Sequence, residues 1–316
     1  MLKMVPLLKK TLKVQLFNTG EGELNYMCGA DYVKSNQRAP QGVPPTPNIR
    51  CASVDGDADR VVFSYSDGGG KFHLLDGDKI ATLVAGYIKE LVQKSGLELE
   101  LGLVQTAYAN GASTEYISRS LGVPVRCALT GVKHLHHAAL AFDVGVYFEA
   151  NGHGTVIFSP KARKEIQAQA RGGSNPYARD LNSLMDLINE TVGDAISDLL
   201  LVETVLLKKG WSAQDWDQAY QDLPNKLAKV TVKDRSVITT TDAERCCVTP
   251  LGLQDALNSL VGQYPRGRSF VRPSGTEDIV RVYAEAASQE HVLKLCSQVA
   301  QLVYDRAGGQ GDRPTL

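Results

Sequence analysis

The 316-residue sequence lacks three things: a long hydrophobic run, an excess of charge of one sign, and paired cysteines. No apolar run reaches the ~18 residues typical of a membrane-spanning helix, so no membrane span is expected. Lys and Arg total 34 and Asp and Glu total 35, which gives a net charge of −1. This charge creates no field that would attract nucleic acid or an anionic membrane. Neither is therefore an expected partner.

The cysteines show neither CxxC pairing nor the spacing of a zinc site. There are six, at Cys28, Cys51, Cys127, Cys246, Cys247 and Cys296. Their pattern favours reduced thiols in a cytoplasmic protein. The opening Met1–Lys10 is too short in its apolar part, and too interrupted by Lys, for a signal peptide. It is interpreted as an ordinary start or as the middle of a domain.

Strand and helix patterns alternate along the first two thirds of the chain. An amphipathic helix with apolar residues between Ile80 and Leu91 precedes a buried strand at Leu101–Thr106. A helix over residues 112–121, capped by Ser113, is predicted to follow. This alternation is typical of α/β domains. From about Leu223 the pattern changes to a compact α+β segment.

The two ends of the sequence carry weaker patterns. Residues 11–18 alternate apolar and polar side chains and predict a short strand. The segment from Gly308 onward is rich in Gly, Asp and Pro, and is predicted to be frayed.

The hexapeptide Asp55-Gly56-Asp57-Ala58-Asp59-Arg60 is the most informative segment. Carboxylates at alternate positions repel one another unless they are solvated or neutralised by a cation. Oxygen ligands at this spacing suit a hard divalent ion such as Mg²⁺ better than zinc. Arg60 adds a positive fork of the kind that binds phosphate.

Three interpretations other than a Mg²⁺ site are possible for this loop. An EF-hand would need Gly and Glu where the chain has Arg60 and Ser66, so that interpretation fails. An aspartyl-nucleophile phosphotransferase would be expected to have Thr or Val in place of Asp59, which makes it weak. A solvated acidic turn is the remaining structural alternative.

The segment Arg272-Pro273-Ser274-Gly275-Thr276-Glu277 lies between two strand patterns. An Arg, two hydroxyls and a glycine amide make an anion cradle, and Arg281 on the next strand could bind the same anion. The alternative is a hairpin turn with an incidental Arg.

Two further segments contain groups suited to a phosphosugar. In Glu149-Ala150-Asn151-Gly152-His153-Gly154, a carboxylate and an amide two positions apart suit vicinal hydroxyls, although His153 could be a simple turn residue. In the segment TGVKHLHH, which begins at Thr130, three histidines suggest zinc, but no Cys or nearby carboxylate completes a site. Lys133 and His134 are better candidates for facing a phosphosugar, as a charge and a proton shuttle.

These four segments, in this order, resemble the loops of the α-D-phosphohexomutase superfamily. The hexapeptide resembles its metal loop, TGVKHLHH its specificity loop, EANGHG its sugar-binding loop and RPSGTEDIVR its phosphate loop. TGVKHLHH and EANGHGT are most similar to the phosphoacetylglucosamine mutase family. The resemblance covers nearly the whole chain.

The resemblance implies consecutive α/β phosphohexomutase domains followed by a C-terminal α+β domain. It divides the chain into a partial second domain at 1–75, a third domain at 76–220 and a C-terminal domain at 221–316. The implied reaction interconverts N-acetylglucosamine 6-phosphate and 1-phosphate, on the route to UDP-N-acetylglucosamine. The implied cofactor is Mg²⁺, the ligand is a small-molecule sugar phosphate, and a complete protein is expected to be monomeric.

The resemblance also implies a role for each residue that matches a position in the family's motifs. Asp55, Asp57 and Asp59 would hold Mg²⁺, and Arg60 would lie beside the transferring phosphate. Lys133 and His134 are further catalytic candidates. The remaining candidates are substrate-binding residues: Glu149, Asn151, His153, Arg272, Ser274, Gly275, Thr276 and Arg281.

One family motif is absent from these 316 residues. The family's phosphoryl donor is a serine within a Thr-Ala-Ser-His-Asn-Pro segment, and no Ser-His-Asn run occurs here. The serine-bearing first domain is therefore expected to be missing, and the chain by itself is expected to be inactive. The alternative is a non-catalytic phosphosugar-binding or regulatory fragment.

Overall fold

The computed structural model describes residues 12–20 and 22–315. It divides into two compact units. Unit 1 contains the described residues up to 105, together with 116–126 and 131–220, and unit 2 contains 106–115, 127–130 and the described residues from 221 onward. None of the helices in the described ranges combines the length and apolar character needed to cross a membrane.

The first part of unit 1 is a three-stranded antiparallel sheet next to a short helix. The helix α1 spans Ala30–Asn36, and the strands are β1 (Cys51–Val54), β2 (Val61–Ser66) and β3 (Phe72–Leu75), in the order β1-β2-β3. Val54 pairs with Val61 across the first hairpin. The acidic hexapeptide is therefore the whole β1–β2 connection, which forces its three carboxylates into one tight loop.

A four-stranded mixed sheet follows, in the order β5-β4-β6-β7. Its strands are β4 (Leu101–Thr106), β5 (Val125–Ala128), β6 (Val144–Phe148) and β7 (Gly154–Phe158). β4 and β6 are parallel, whereas β6 and β7 form an antiparallel hairpin. The strand predicted at Leu101–Thr106 is confirmed, and all six of its residues are buried.

Helices lie between and after the strands from β3 to β7 along the chain. All except the one at 111–115, which belongs to unit 2, lie in unit 1 and help to form its core. The helices are α2 (Gly77–Ser95), α3 (Gly111–Glu115, followed by a π-helical turn at Tyr116–Ser120), α4 (Val132–Ala139), α5 (Pro160–Arg171), α6 (Pro176–Leu187), α7 (Ala195–Lys209) and α8 (Ala213–Asp217). Asp76 caps α2, because its side chain accepts hydrogen bonds from the N–H groups of Asp78 and Lys79. Ile80, Ile88 and Leu103 are fully buried in this core.

Besides α3, the described part of unit 2 contains a three-stranded antiparallel sheet, a small hairpin and two further α-helices. The sheet has the order β11-β12-β8, formed by β8 (Asn225–Thr231), β11 (Arg268–Pro273) and β12 (Ile279–Glu285). The hairpin pairs β9 (Thr239–Thr241) with β10 (Cys246–Thr249), and the helices are α9 (Leu253–Val261) and α10 (Gln289–Arg306). The fold class predicted from the sequence is confirmed.

Two local predictions, the strand over 11–18 and the cap at Ser113, were wrong, and a predicted helix has the expected extent but a mixed geometry. Residues 12–18, the described part of the segment 11–18, form no strand, because alternation gives a strand its faces but not a pairing partner. The helix predicted over 112–121 begins at Gly111 and changes to π-helical geometry at Tyr116. Ser113 lies buried inside it, and the side chain of Asn110 accepts from the Ala112 N–H instead.

The C-terminal segment is held in place rather than frayed. The N–H of Gly309 donates to the carbonyl of Tyr304, and the N–H of Gln310 donates to the carbonyl of Thr231. Arg313 forms a two-pronged ion pair with Asp305 on α10. Backbone hydrogen bonds therefore fix a segment whose composition alone indicated a free end.

Candidate functional site

The acidic loop brings its three carboxylates together. One oxygen from each of Asp55, Asp57 and Asp59 lies within 4.8 Å of the others. Oδ1 of Asp55 accepts from the N–H groups of Asp59 and Arg60, each at 3.2 Å, which closes the loop around that side chain. Ala58 adopts a left-handed conformation with φ 62° to complete the turn. The loop is thus shaped by its own backbone rather than by solvent.

The charges of this loop fit a bound cation. Burial, together with the neighbouring Asp59 and Asp57, raises the pKa of Asp55 to about 6, although the hydrogen bond from the Arg60 N–H opposes them. Oδ1 of Asp59 is buried and accepts no hydrogen bond among the described residues. An all-oxygen set with a surplus of negative charge is the donor set that hard divalent ions prefer. The solvated-turn alternative is less consistent with these buried oxygens.

Arg60 is fixed by carboxylates on two sides. Its Nη1 lies 2.7 Å from Oδ2 of Asp31 on α1, and its Nε lies 3.5 Å from Oδ1 of Asp59. Burial lowers the pKa of Arg60, but Asp31, Asp59 and Asp55 together hold it above its ordinary value. Asp31 has no motif around it, so no sequence pattern indicated its contact with Arg60.

The β6–β7 turn carries Glu149, Asn151 and His153. The N–H of Glu149 donates to the carbonyl of His153, and the carbonyl oxygen of the Asn151 side chain accepts from the His153 N–H. Oε1 of Glu149 accepts from the N–H of Gly131 at 3.0 Å, which joins this turn to the start of α4. The imidazole of His153 points to the metal loop, with its Nδ1 3.2 Å from Oδ2 of Asp59.

Gly152 allows the turn to approach the metal loop. It has φ 90°, and a Cβ at this position would lie 2.0 Å from the carbonyl oxygen of Val61. The N–H of Val61 donates to the carbonyl of Gly152 at 3.2 Å. Any larger residue would separate the sugar-loop turn from β2, because the contact is with backbone atoms that cannot move aside.

A pocket of about 400 Å³ lies between these loops within unit 1. Asp59, Lys133 and His153 contribute to its lining. Of the histidines on α4, His136 lines the pocket, and its Nδ1 lies 3.0 Å from the hydroxyl of Tyr147. His134 is half-buried next to Gly131 and is not among the residues that line this pocket. Spacing on the helix alone could not distinguish these histidines.

The phosphate-loop candidates lie in unit 2, on the β11–β12 hairpin. Arg272 and Arg281 are paired directly across the two strands. The buried Ser274 donates its N–H to the carbonyl of Ile279, and the N–H of Thr276 faces the Ser274 hydroxyl at 3.5 Å. A Cβ on Gly275 would meet no described atom within 4 Å. The loop is therefore open on the side where an anion could enter.

Glu244 is the residue in this region that sequence reasoning missed. It lies in the β9–β10 turn, and its Oε1 is 3.1 Å from Nε of Arg272. Its Oε2 accepts hydrogen bonds from the N–H and the hydroxyl of Thr130. A single Glu in a polar turn has no motif around it, so no pattern could have indicated these contacts.

Three family profiles match the chain. Residues 16–62 match "Phosphoacetylglucosamine mutase AMG1, domain II", and residues 76–211 match "Phosphoacetylglucosamine mutase AMG1, domain III". Residues 255–302 match "Phosphoglucomutase/phosphomannomutase, C-terminal domain". The first two ranges contain the acidic loop and the sugar loop, respectively.

The chain is also similar to curated proteins and solved structures. It is 56% identical to phosphoacetylglucosamine mutase of Mus musculus over 96% of its own length, and 53% identical to that of Saccharomyces cerevisiae over 89%. Aspergillus fumigatus N-acetylphosphoglucosamine mutase in complex with GlcNAc-6P and magnesium matches with a TM-score of 0.86 and 52% identity. That match covers 90% of this chain and 54% of the solved one.

The matches differ in how much of each relative they cover. The chain spans 57% of the mouse protein and 52% of the yeast protein, so it accounts for just over half of their length. The similarity therefore extends over almost all of this chain but over only part of each relative.

Proposed function

The chain belongs to the phosphoacetylglucosamine mutase family, and on this premise we propose that it supplies the metal-, sugar- and phosphate-binding parts of such an enzyme. The proposed reaction interconverts N-acetylglucosamine 6-phosphate and N-acetylglucosamine 1-phosphate, on the route to UDP-N-acetylglucosamine. The observation that carries the proposal is the convergence of the three carboxylates of Asp55, Asp57 and Asp59 in one hairpin loop.

Asp55, Asp57 and Asp59 would hold Mg²⁺ in this proposal. The ion would neutralise negative charge on a phosphoryl group, which is the main electrostatic requirement of phosphoryl transfer. Arg60 is held on the same loop by Asp31 and Asp59, so its position is set before any ligand arrives. Such fixed charges cost little reorganisation during a reaction.

The β6–β7 turn next to this loop would bind the sugar through Glu149 and Asn151, which are not among the residues that line the neighbouring pocket. These two residues would bind the hydroxyls of the sugar, because a carboxylate accepts and an amide both accepts and donates. Lys133, which is exposed at the pocket lining, would add positive charge near a phosphate. His153 would hold Asp59 in place, and its contact with that carboxylate supports this role. His134 stays a candidate for proton transfer only.

The β11–β12 hairpin would bind the phosphate that is not reacting. Arg272 and Arg281 supply two guanidinium groups from neighbouring strands, and Ser274, Gly275 and Thr276 supply hydroxyl and backbone donors. Guanidinium groups bind phosphate through paired N–H groups, and backbone amides of a tight turn add further donors.

A second candidate function is a phosphosugar-binding protein without turnover. The absence of a Ser-His-Asn run from these 316 residues favours it, because the family's phosphoryl donor is a serine in that motif. Both candidates require the same binding loops and differ only in chemistry.

Calorimetric titration with N-acetylglucosamine 6-phosphate, in the presence of Mg²⁺, tests the proposed binding function. We expect saturable binding that inorganic phosphate displaces. The same samples, supplied with a sugar bisphosphate primer, are expected to show no conversion to the 1-phosphate above a no-protein blank. Failure to bind the sugar phosphate would contradict the proposed function, whereas conversion would show that the chain has a phosphoryl donor of its own.

A further inference from the structure

We infer that Glu244 is a positioning residue of the phosphate clamp: it holds Arg272 by its Nε and directs the rest of the guanidinium at a phosphate ester. The inference rests on the proposed function, since it assumes that Arg272 binds phosphate. Glu244 itself would not touch the ligand. It would act through Arg272, from a turn that carries no family motif.

The carboxylate of Glu244 joins two parts of unit 2. Its Oε1 lies 3.1 Å from the buried Nε of Arg272, an ion pair without the N–H alignment of a hydrogen bond. Its Oε2 accepts from the N–H of Thr130 at 3.2 Å and from the Thr130 hydroxyl at 2.5 Å. The exposed fractions are small, 14% for the Glu244 side chain and 18% for the Arg272 side chain. Limited solvent strengthens an ion pair and makes its geometry more definite.

The turn that carries Glu244 is fixed without help from Arg272. Asp242, Ala243 and Glu244 are successive left-handed residues, with φ 52°, 53° and 68°. Arg245 binds back to the side chain and to the carbonyl oxygen of Asp242. Because Thr130 also holds Glu244 through two donors, the carboxylate stays where it is whether or not Arg272 contacts it.

Arg272 and Arg281 lie directly across from each other on β11 and β12, which brings two positive charges together beside Glu244. Directly opposed residues of an antiparallel pair share one face of the sheet, and like charges there repel. Glu244 offsets part of that repulsion at Nε of Arg272. An arginine presents a fork of paired N–H groups that matches phosphate, and a carboxylate beside Nε attracts one edge of the guanidinium and leaves that fork available.

The simplest alternative is that Glu244 competes with phosphate for Arg272. The two interpretations predict opposite signs for Glu244→Gln. A competitor, or any negative charge that merely lies nearby, would weaken phosphate binding, so its removal should tighten binding. If Glu244 positions Arg272, replacing it should weaken phosphate binding, because the neutral glutamine amide no longer attracts the charged guanidinium.

The test is calorimetric titration of the 316-residue chain with N-acetylglucosamine 6-phosphate and, separately, with inorganic phosphate. We expect Glu244→Gln to weaken both affinities about tenfold or more, because the neutral amide removes the charge that holds the Arg272 guanidinium in place. Glu290→Gln is the control. It removes the same charge from an exposed site on α10, where Glu290 pairs with Lys294, and should leave both affinities unchanged.

A spectroscopic readout separates positioning from a general structural effect. The Nε–H resonance of Arg272, assigned with Arg272→Lys, should exchange slowly with water in the parent chain and rapidly in Glu244→Gln. If the chain with Glu244→Gln fails to fold, the Thr130→Val variant is measured in its place. It removes one donor to the carboxylate and should weaken phosphate binding by a smaller factor.

Unchanged or tighter phosphate binding in a folded Glu244→Gln chain would overturn the inference. Failure of the proposed function would look different. If Arg272→Lys leaves phosphate affinity intact, the clamp assignment itself is wrong. If Arg272→Lys weakens binding and Glu244→Gln does not, only the positioning role is wrong.

Discussion

Replacing Arg272 with alanine is expected to abolish measurable binding of N-acetylglucosamine 6-phosphate while leaving the fold and Mg²⁺ binding intact. Arg272 is one of two guanidinium groups placed opposite each other on the β11–β12 hairpin, next to the open side of Gly275. Removing one partner of a charge-assisted phosphate contact costs roughly 2–5 kcal/mol, or more than about thirtyfold in affinity. Calorimetric titration of the parent and variant chains measures this loss.

Arg313→Ala is the matched control for this substitution. Arg313 lies in the C-terminal segment, where it pairs with Asp305, and both side chains are about half exposed. Its loss removes the same charge from unit 2 without touching the hairpin, so sugar-phosphate affinity should stay at the parent value. Equal losses in Arg272→Ala and Arg313→Ala would mean that net charge, and not the clamp, governs binding.

Replacing Asp57 with alanine is expected to abolish divalent-ion binding and to spare most of the sugar-phosphate binding. Asp57 is the exposed member of the three-carboxylate cluster, so its removal should disturb the fold least. Losing a direct ligand should cost more than the 10–100-fold that outer-shell changes cost. Titration with Mn²⁺ followed by electron paramagnetic resonance, with Mg²⁺ as the competitor, measures the affinity.

Asp67→Ala is the control for the metal loop. Asp67 is an acidic residue of the β2–β3 turn, and it contacts His73 rather than the cluster. Its replacement should leave the Mn²⁺ affinity unchanged. If Asp57→Ala binds Mn²⁺ like the parent chain, or if it loses sugar phosphate while Arg272→Ala retains it, the assignment of the two loops is wrong.

The pH dependence of the same titration follows from Asp55. Burial raises its pKa to about 6, above the ordinary 3.8, so the folded state holds this proton more tightly than the unfolded state does. Without metal, ionisation of Asp55 therefore costs stability as pH rises from about 4 through about 6. Metal binding requires the ionised carboxylate, so the affinity for Mn²⁺ should increase over that range and level off above it. A flat profile between pH 5 and 7 would contradict this.

Much of the fold could be predicted because its signals are local. The strand at Leu101–Thr106 has the predicted bounds, since a buried apolar run is visible in consecutive residues. The apolar residues between Ile80 and Leu91 lie on the predicted amphipathic helix, α2. The strand predicted over 11–18 was wrong because a strand also needs a partner, and alternation does not supply one.

The sequence by itself determined which chemical groups are present and in which loops they lie. The spacing of Asp55, Asp57 and Asp59 predicted a hard-metal loop, and the four loops together predicted the family. Only the tertiary structure decided what each group contacts. It placed Asp31, 29 positions earlier, on Arg60, and it placed His153 on Asp59.

For the proposed phosphate clamp, Arg272 and Arg281, the sequence likewise predicted the groups, and the tertiary structure decided their contacts. The RPSGT segment predicted Arg272 as a phosphate-binding residue, but nothing near it in the sequence indicated Glu244, which contacts it from a different hairpin. Contacts of this kind depend on loop closure and on packing over distant parts of the chain, and they leave no periodicity or spacing to detect. Local sequence patterns therefore predicted which residues would bind metal and phosphate, whereas the folded chain decided which neighbours contact those side chains.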